Sequence, residues 1–245
     1  MCTVTFIPRK TGYLVGMNRD EKLTRVAGLP PLERKIDGRT VIYPTEPSGG
    51  TWISLNDAGT TFALINWYSV SAKPKGNIVS RGEIIPTICT ALDPQAVSRQ
   101  LAALRLPRFS PFRLIGIFSS SRQIKEWQWN CQRLVEHNHN WRARQWISSG
   151  FDEPTAQKIR SRRFQKFRSQ TSCGTVNWLR RLHRSHSPTC GPFSTCMHRD
   201  EAATVSYTEI CASSRRTFLR HICNSPCRSL LLGHRQACPS GIRSG

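Results

Sequence analysis

Cys2 is the first residue whose type and position could do chemistry. Methionine aminopeptidases remove Met1 when a small residue follows, and cysteine is small. The chain would then begin with one residue carrying both a thiol and an α-amine. Their reference pKa values, about 8.5 and about 8, let both exchange protons near neutral pH. One residue thus supplies nucleophile and base, as in the threonine and N-terminal-amine pairing of covalent catalysis. Taken alone, a cysteine is more often a packing residue.

Asn18-Arg19-Asp20-Glu21 gives Cys2 a context. A guanidinium beside a thiol favours the thiolate. A carboxylate there holds an ammonium or an attacking water. The same four residues also suit an ordinary polar turn. Asn66 closes an apolar run, Phe62 to Ile65, and a side-chain amide at such a tip is a candidate oxyanion donor. The chain has ten cysteines. Cys190-x5-Cys196-x-His198 and Cys223-x3-Cys227 lack the paired C-x2-C spacing of a zinc site. They read as free thiols of a reducing compartment, and neither metal nor cofactor is expected.

Elements must bring these residues together. Cys2–Ile7 and Tyr13–Met17 read as two strands around the turn Pro8–Gly12. Their antiparallel pairing carries residues 18–20 toward Cys2, at the rim where strand gives way to loop. Residues 33–50 read as a long loop around a short strand, Val41–Tyr43. Thr51–Leu55 and Thr61–Asn66 form a hairpin about Asn56-Asp57-Ala58-Gly59. Asp93-Pro94 and Asp152-Glu153-Pro154 start helices, the second running to about Phe167. Between them lie strands Arg113–Phe118, Arg122–Asn130 and Trp141–Ile147. Thr175–His183 is a short helix, and Ala203–Ile210 and Thr217–Ile222 close the fold. Strands at both ends with helices between predict an α+β domain over 1–227. Residues 228–245 read as a disordered basic tail.

The net charge is +21. Most of the excess is arginine and lies beyond residue 100. Such a balance suits an anionic partner. No helix-turn-helix, zinc-finger or RNA-binding signature accompanies it, so no specific nucleic acid is expected. The runs around Arg160–Arg163 and Arg180–Arg184 read as solvated helix faces. No apolar stretch is long enough for a transmembrane helix, and no secretory signal opens the chain. The expected location is cytoplasmic, with Golgi or mitochondrial association possible in a eukaryote.

Together the motifs resemble the NRDE family, which includes the animal transport-and-Golgi-organisation proteins. They are Met1-Cys2-Thr3, Asn18-Arg19-Asp20-Glu21, Gly49-Gly50-Thr51-Trp52, Asn56-x-x-Gly59, Ala63-Leu64-x-Asn66 and Ser80-Arg81-Gly82. Later matches are Trp146–Gly150, Cys196-Met197-His198-Arg199-Asp200 and Ala203–Thr208. The resemblance implies an Ntn-hydrolase-like four-layer αββα sandwich with the N-terminal residue on a central strand. It is similar also to the cholylglycine hydrolase and penicillin V acylase group, where an N-terminal Cys is followed by Gly-Arg-Asn-x-Asp. Gly16-Met17-Asn18-Arg19-Asp20 takes that place here. Asp20 matches the carboxylate, and the arginine stands two positions later. Asn56-x-x-Gly59 and Asn66 resemble that group's turn and downstream asparagine. For its later asparagine and late arginine the candidates here are Asn177 and Arg199.

The resemblance thus implies an N-terminal-cysteine hydrolase of a non-peptide amide, ester or thioester. Cys2, Arg19, Asp20 and Asn66 would be catalytic, with Asn18, Glu21, Arg81 and Arg199 as family motif residues. The expected partner is a small acyl or amide substrate, and the basic balance suits an anionic one. The alternative is a non-catalytic role on the same fold, in lipid or haem handling or in secretory-pathway organisation.

Overall fold

The structure is a computed structural model describing residues 2–213 and 217–223. The expected tail, 228–245, lies outside the described residues.

Twelve strands form two antiparallel sheets. The first holds β1 (Cys2–Pro8), β2 (Tyr13–Lys22), β10 (Arg144–Ser148), β11 (Ala202–Ala212) and β12 (Thr217–Cys223), ordered β10-β1-β2-β11-β12. The second runs in sequence order through β3 (Leu29–Ile36), β4 (Arg39–Thr45), β5 (Ile53–Asn56), β6 (Thr60–Asn66), β7 (Phe112–Phe118), β8 (Gln123–Trp129) and β9 (Leu134–His139). Helices α1 (Ile84–Ile88) and α2 (Pro94–Ala103) follow β6, and α3 (Glu153–Arg168) and α4 (Val176–His183) follow β10.

The layer order follows from strand alternation. Val4, Phe6, Tyr13, Val15 and Met17 of the first sheet share one core with Ile53, Ala63, Ile65, Ile115 and Ile117 of the second. The alternate residues Phe62, Leu64, Leu114 and Trp127 turn to the other side and meet Ile85, Ile88, Val97 and Leu101 of α1 and α2. Ile7, Leu14 and Cys211 of the first sheet likewise meet Phe164, Phe167, Leu179 and Leu182 of α3 and α4. The result is helices, sheet, sheet, helices.

The helix starts fall where the caps are. Asp93 accepts from Ala96 N at 2.8 Å and Asp152 from Thr155 N at 3.0 Å, each with proline in the first turn. Two expectations need correction. Asn18–Glu21 is not a loop rim. It lies inside β2, because β1 pairs with β2 up to Arg19 and β11 pairs with it as far as Lys22. Residues 33–50 are not a long loop either. They hold most of the β3–β4 hairpin, whose turn residues Asp37 and Gly38 have φ of 46° and 75°. β3 is an edge strand with a largely polar, exposed face, so it lacks the apolar alternation that marks the other strands.

Candidate functional site

Cys2 opens β1 in the register Cys2↔Arg19 on one side and Cys2↔Ser148 on the other. Its side chain belongs to the core between the sheets. Burial pushes the thiol above its ordinary pKa, and the nearby Asp20 carboxylate adds to the rise. The N-terminal ammonium, the Arg19 guanidinium and the Asp20 backbone N–H, which donates to the sulfur, act in the other direction without overcoming it. The thiol is therefore the resting form, and a base is needed to make it nucleophilic.

Arg19 shares the inner face with Cys2 but is held by others. It donates to Glu46 Oε1 at 2.6 Å and Glu21 Oε2 at 3.2 Å, and its guanidinium lies 4.5 Å from the Trp52 ring centroid. Arg25 bridges the same two carboxylates at 3.2 and 2.8 Å. Two arginines and two glutamates thus form a closed network at the Cys2 end of β2.

Arg81 enters from a different element. The turn that carries it docks where Gly50 and Gly82 touch through backbone. A Cβ on Gly50 would stand 3.1 Å from Gly82 Cα, and one on Gly82 would stand 2.9 Å from Gly50 Cα. Gly82 O also accepts from Thr51 N at 3.0 Å. Two separate sequence motifs are therefore one structural joint. Arg81 donates to Pro111 O at 2.9 Å. Burial lowers its pKa, while Tyr68 and Cys2 act to raise it, which places a second cation in the field of the thiol. Asn66, at the tip of β6, donates to Tyr68 Oη at 2.7 Å.

Asn18 and Asp20 lie one residue either side of Arg19, so their side chains take the opposite, helix-covered face. Asn18 Nδ2 donates to His183 O at 2.9 Å and Thr195 O at 2.8 Å. Asp20 Oδ1 accepts from Thr204 Oγ1 at 2.6 Å, and Asp20 Oδ2 lies 3.5 Å from Arg160 Nη1. A bulge between Thr204 and Ser206 shifts the parity of β11 and aims Thr204 at Asp20. Arg160 also donates to Thr3 Oγ1 at 2.8 Å and Pro192 O at 3.2 Å. The reading of the Arg160–Arg163 run as a solvated face fails at its first member, because Arg160 is 0% exposed.

Arg199 lies over the Phe151 ring, 4.9 Å from its centroid. Asn177 stands apart, on α4. It lines a groove of about 390 Å³ with Arg180, Arg181, Arg184 and Arg220, on the sheet face opposite Cys2. Sequence reasoning passed over His221. It sits on the inner face of β12, its ring 5.8 Å from that of Trp52, with its pKa lowered to about 4 by burial and by Arg19. Its parity with inward Leu219 was the available signal.

The family model described as Transport and Golgi organisation 2 matches residues 1–172. The chain belongs to the Transport and Golgi organisation 2 (NRDE) family. No curated protein matches the sequence. Among solved structures, the C2A mutant of conjugated bile acid hydrolase from Clostridium perfringens aligns with TM-score 0.57 at 8% identity, covering 91% of this chain and 92% of that one. Penicillin V acylase from Agrobacterium tumefaciens aligns with TM-score 0.55 at 12% identity, covering 91% and 86%. The four-layer arrangement is thus the Ntn-hydrolase fold. Among the described residues, no helix is long and apolar enough to cross a membrane.

Proposed function

We propose that this Transport and Golgi organisation 2 family member is an N-terminal-cysteine hydrolase of a small non-peptide amide, ester or thioester. The observation that carries this reading is Cys2 on an inner strand, opposite Arg19 and within the field of Arg81. The bile acid hydrolase, whose C2A substitution replaces a cysteine at its own position 2, supports it by likeness of fold.

Removal of Met1 frees the Cys2 amine. That amine takes the thiol proton as sulfur attacks the acyl carbonyl. Asp20, held by Thr204 and paired with Arg160, is the carboxylate that orients this amine in the proposed reaction. The Asn66 amide, oriented by Tyr68, is the candidate oxyanion donor, and Arg81 adds positive field. The ammonium then protonates the leaving amine or alcohol, and water resolves the acyl-cysteine. Leu23, Val26, Tyr68 and Phe151 are exposed apolar side chains suited to an acyl group, and the arginine excess suits one bearing a carboxylate.

Intact-mass measurement of protein from cells should show loss of Met1. A panel of acyl p-nitroanilides and acyl thioesters should reveal turnover and a trapped acyl adduct, both absent in Cys2→Ala. Retained Met1, or turnover unchanged in Cys2→Ala, overturns the reading. These exposed apolar side chains also suit a second reading, binding of a lipid or haem without cleavage. Saturable binding of either to Cys2→Ala and wild type alike, with no acyl adduct on the wild type, would select it.

A further inference from the structure

Behind the Asp20 face of the first sheet, the segment after α4 folds back on itself and brings three metal-capable side chains together. From this convergence we propose that His186, Cys196 and His198 form a binding site for a divalent cation of the zinc class. His186 Nε2 and His198 Nε2 are 3.1 Å apart, and Cys196 Sγ is 3.7 Å from His198 Nε2. All three donor atoms fall within 4.8 Å of one another.

The two shorter separations match edges of a zinc tetrahedron. Zinc–nitrogen bonds of about 2.0–2.1 Å and zinc–sulfur bonds of about 2.3 Å require N···N of about 3.3 Å and N···S of about 3.6 Å. Two imidazoles and one thiolate form a borderline-soft set, which selects zinc over magnesium or calcium. Three protein ligands leave the fourth position to water or another donor.

The backbone holds the donors in place. Cys196 N donates to Ser185 O at 3.0 Å, and His198 N to Gly191 O at 3.1 Å. Met197 N donates to Thr204 Oγ1 at 2.8 Å, and Thr204 N to Met197 O at 2.9 Å. Thr204 is the residue that holds Asp20, so a bound cation would brace the segment behind that carboxylate. Neither cysteine motif has paired zinc spacing. His186, ten residues before Cys196, completes the set only through the fold. Binding replaces the thiol proton of Cys196, which passes to buffer.

The test is titration of the reduced full-length protein with Co²⁺ as spectroscopic probe, followed by Zn²⁺. We expect one equivalent of Co²⁺ per chain, with a thiolate-to-cobalt charge-transfer band that Zn²⁺ abolishes. Cys196→Ser should lose that band. A Cys223→Ser, Cys227→Ser, Cys238→Ser variant should keep it, as should Cys2→Ala, so failure here is distinct from failure of the hydrolase reading. Because Cys196 is fully buried, His198→Gln serves as a second variant, its fold checked by circular dichroism. It should lose the Zn²⁺-induced rise in Tm that the wild type shows. No thiolate band in the wild type, a band surviving in Cys196→Ser, or a band lost with the three late cysteines would overturn the site and leave an imidazole–imidazole hydrogen bond beside a thiol.

Discussion

Asp20 and Arg160 form an ion pair with neither side chain exposed. A buried pair contributes little net stability, but breaking it leaves one charge without compensation, which costs about 3–5 kcal/mol. Arg160→Met should therefore destabilise the protein by about that amount in urea unfolding. A loss under about 1 kcal/mol would mean that Asp20 is carried by Thr204 and by water instead. The pair was half legible. The family motif pointed to Asp20 without showing its partner. Arg160 follows Ala156 by four residues and precedes Phe164 by four and Phe167 by seven, and all three are buried on α3. An arginine on an apolar helical stripe is a signal of a buried charge. The run Arg160-Ser161-Arg162-Arg163 hid it, because composition averages over faces that the helix separates.

At the scale of elements, the clamp between β2 and α4 rests on His183. Asn18 Nδ2 is spent on two carbonyls, so Asn18 Oδ1 must accept from His183 Nδ1, 3.0 Å away. His183 Nε2 then accepts from Thr5 Oγ1 at 3.0 Å. The ring is neutral, and Gly16 makes room for it: a Cβ there would stand 2.9 Å from His183 Nε2. Burial, with Arg160 second, lowers the His183 pKa from 6.5 to about 3. Between those values the unfolded chain binds a proton that the native chain does not. Stability therefore falls as pH drops through that window. Wild type should lose stability more steeply than His183→Gln between pH 6.5 and about 3. Parallel slopes in denaturant titrations at each pH would sink the assignment. Helix α4 itself was readable from Thr175 and the spacing of Leu179 and Leu182. The β3–β4 hairpin announced itself only by Asp37-Gly38, a turn signal whose flanking edge strand carries too little apolar pattern to support it. The extent of β2 was not readable at all, because a polar tetrapeptide stays extended only when strands on both sides demand it.

For the whole molecule, the charge takes on structure. Only 15 acidic residues face 36 basic ones, and many of the acids already have structural posts. Asp20, Glu21, Glu46, Asp57, Glu126, Glu136 and Glu209 are in ion pairs, and Asp93 and Asp152 cap helices. Glu126 is an interior case. Burial pushes its pKa up, but His139, Arg113 and Gln128 outweigh that and bring it to about 2. It also accepts from Trp146 Nε1 at 3.1 Å and so ties the second sheet to β10 of the first. With carboxylates committed in this way, arginines such as Arg181 and Arg184 beside the α4 groove carry a net positive outer field. Self-repulsion of that field destabilises the compact state, and salt screens it over about 10 Å at 0.1 M. The buried pairs are screened much less. Added NaCl should therefore raise Tm, in contrast to a protein held by surface ion pairs. Differential scanning calorimetry across a NaCl series, at a pH above the His183 window, measures this. A falling Tm would show that exposed bridges such as Arg39–Asp57 outweigh the repulsion of the arginine excess.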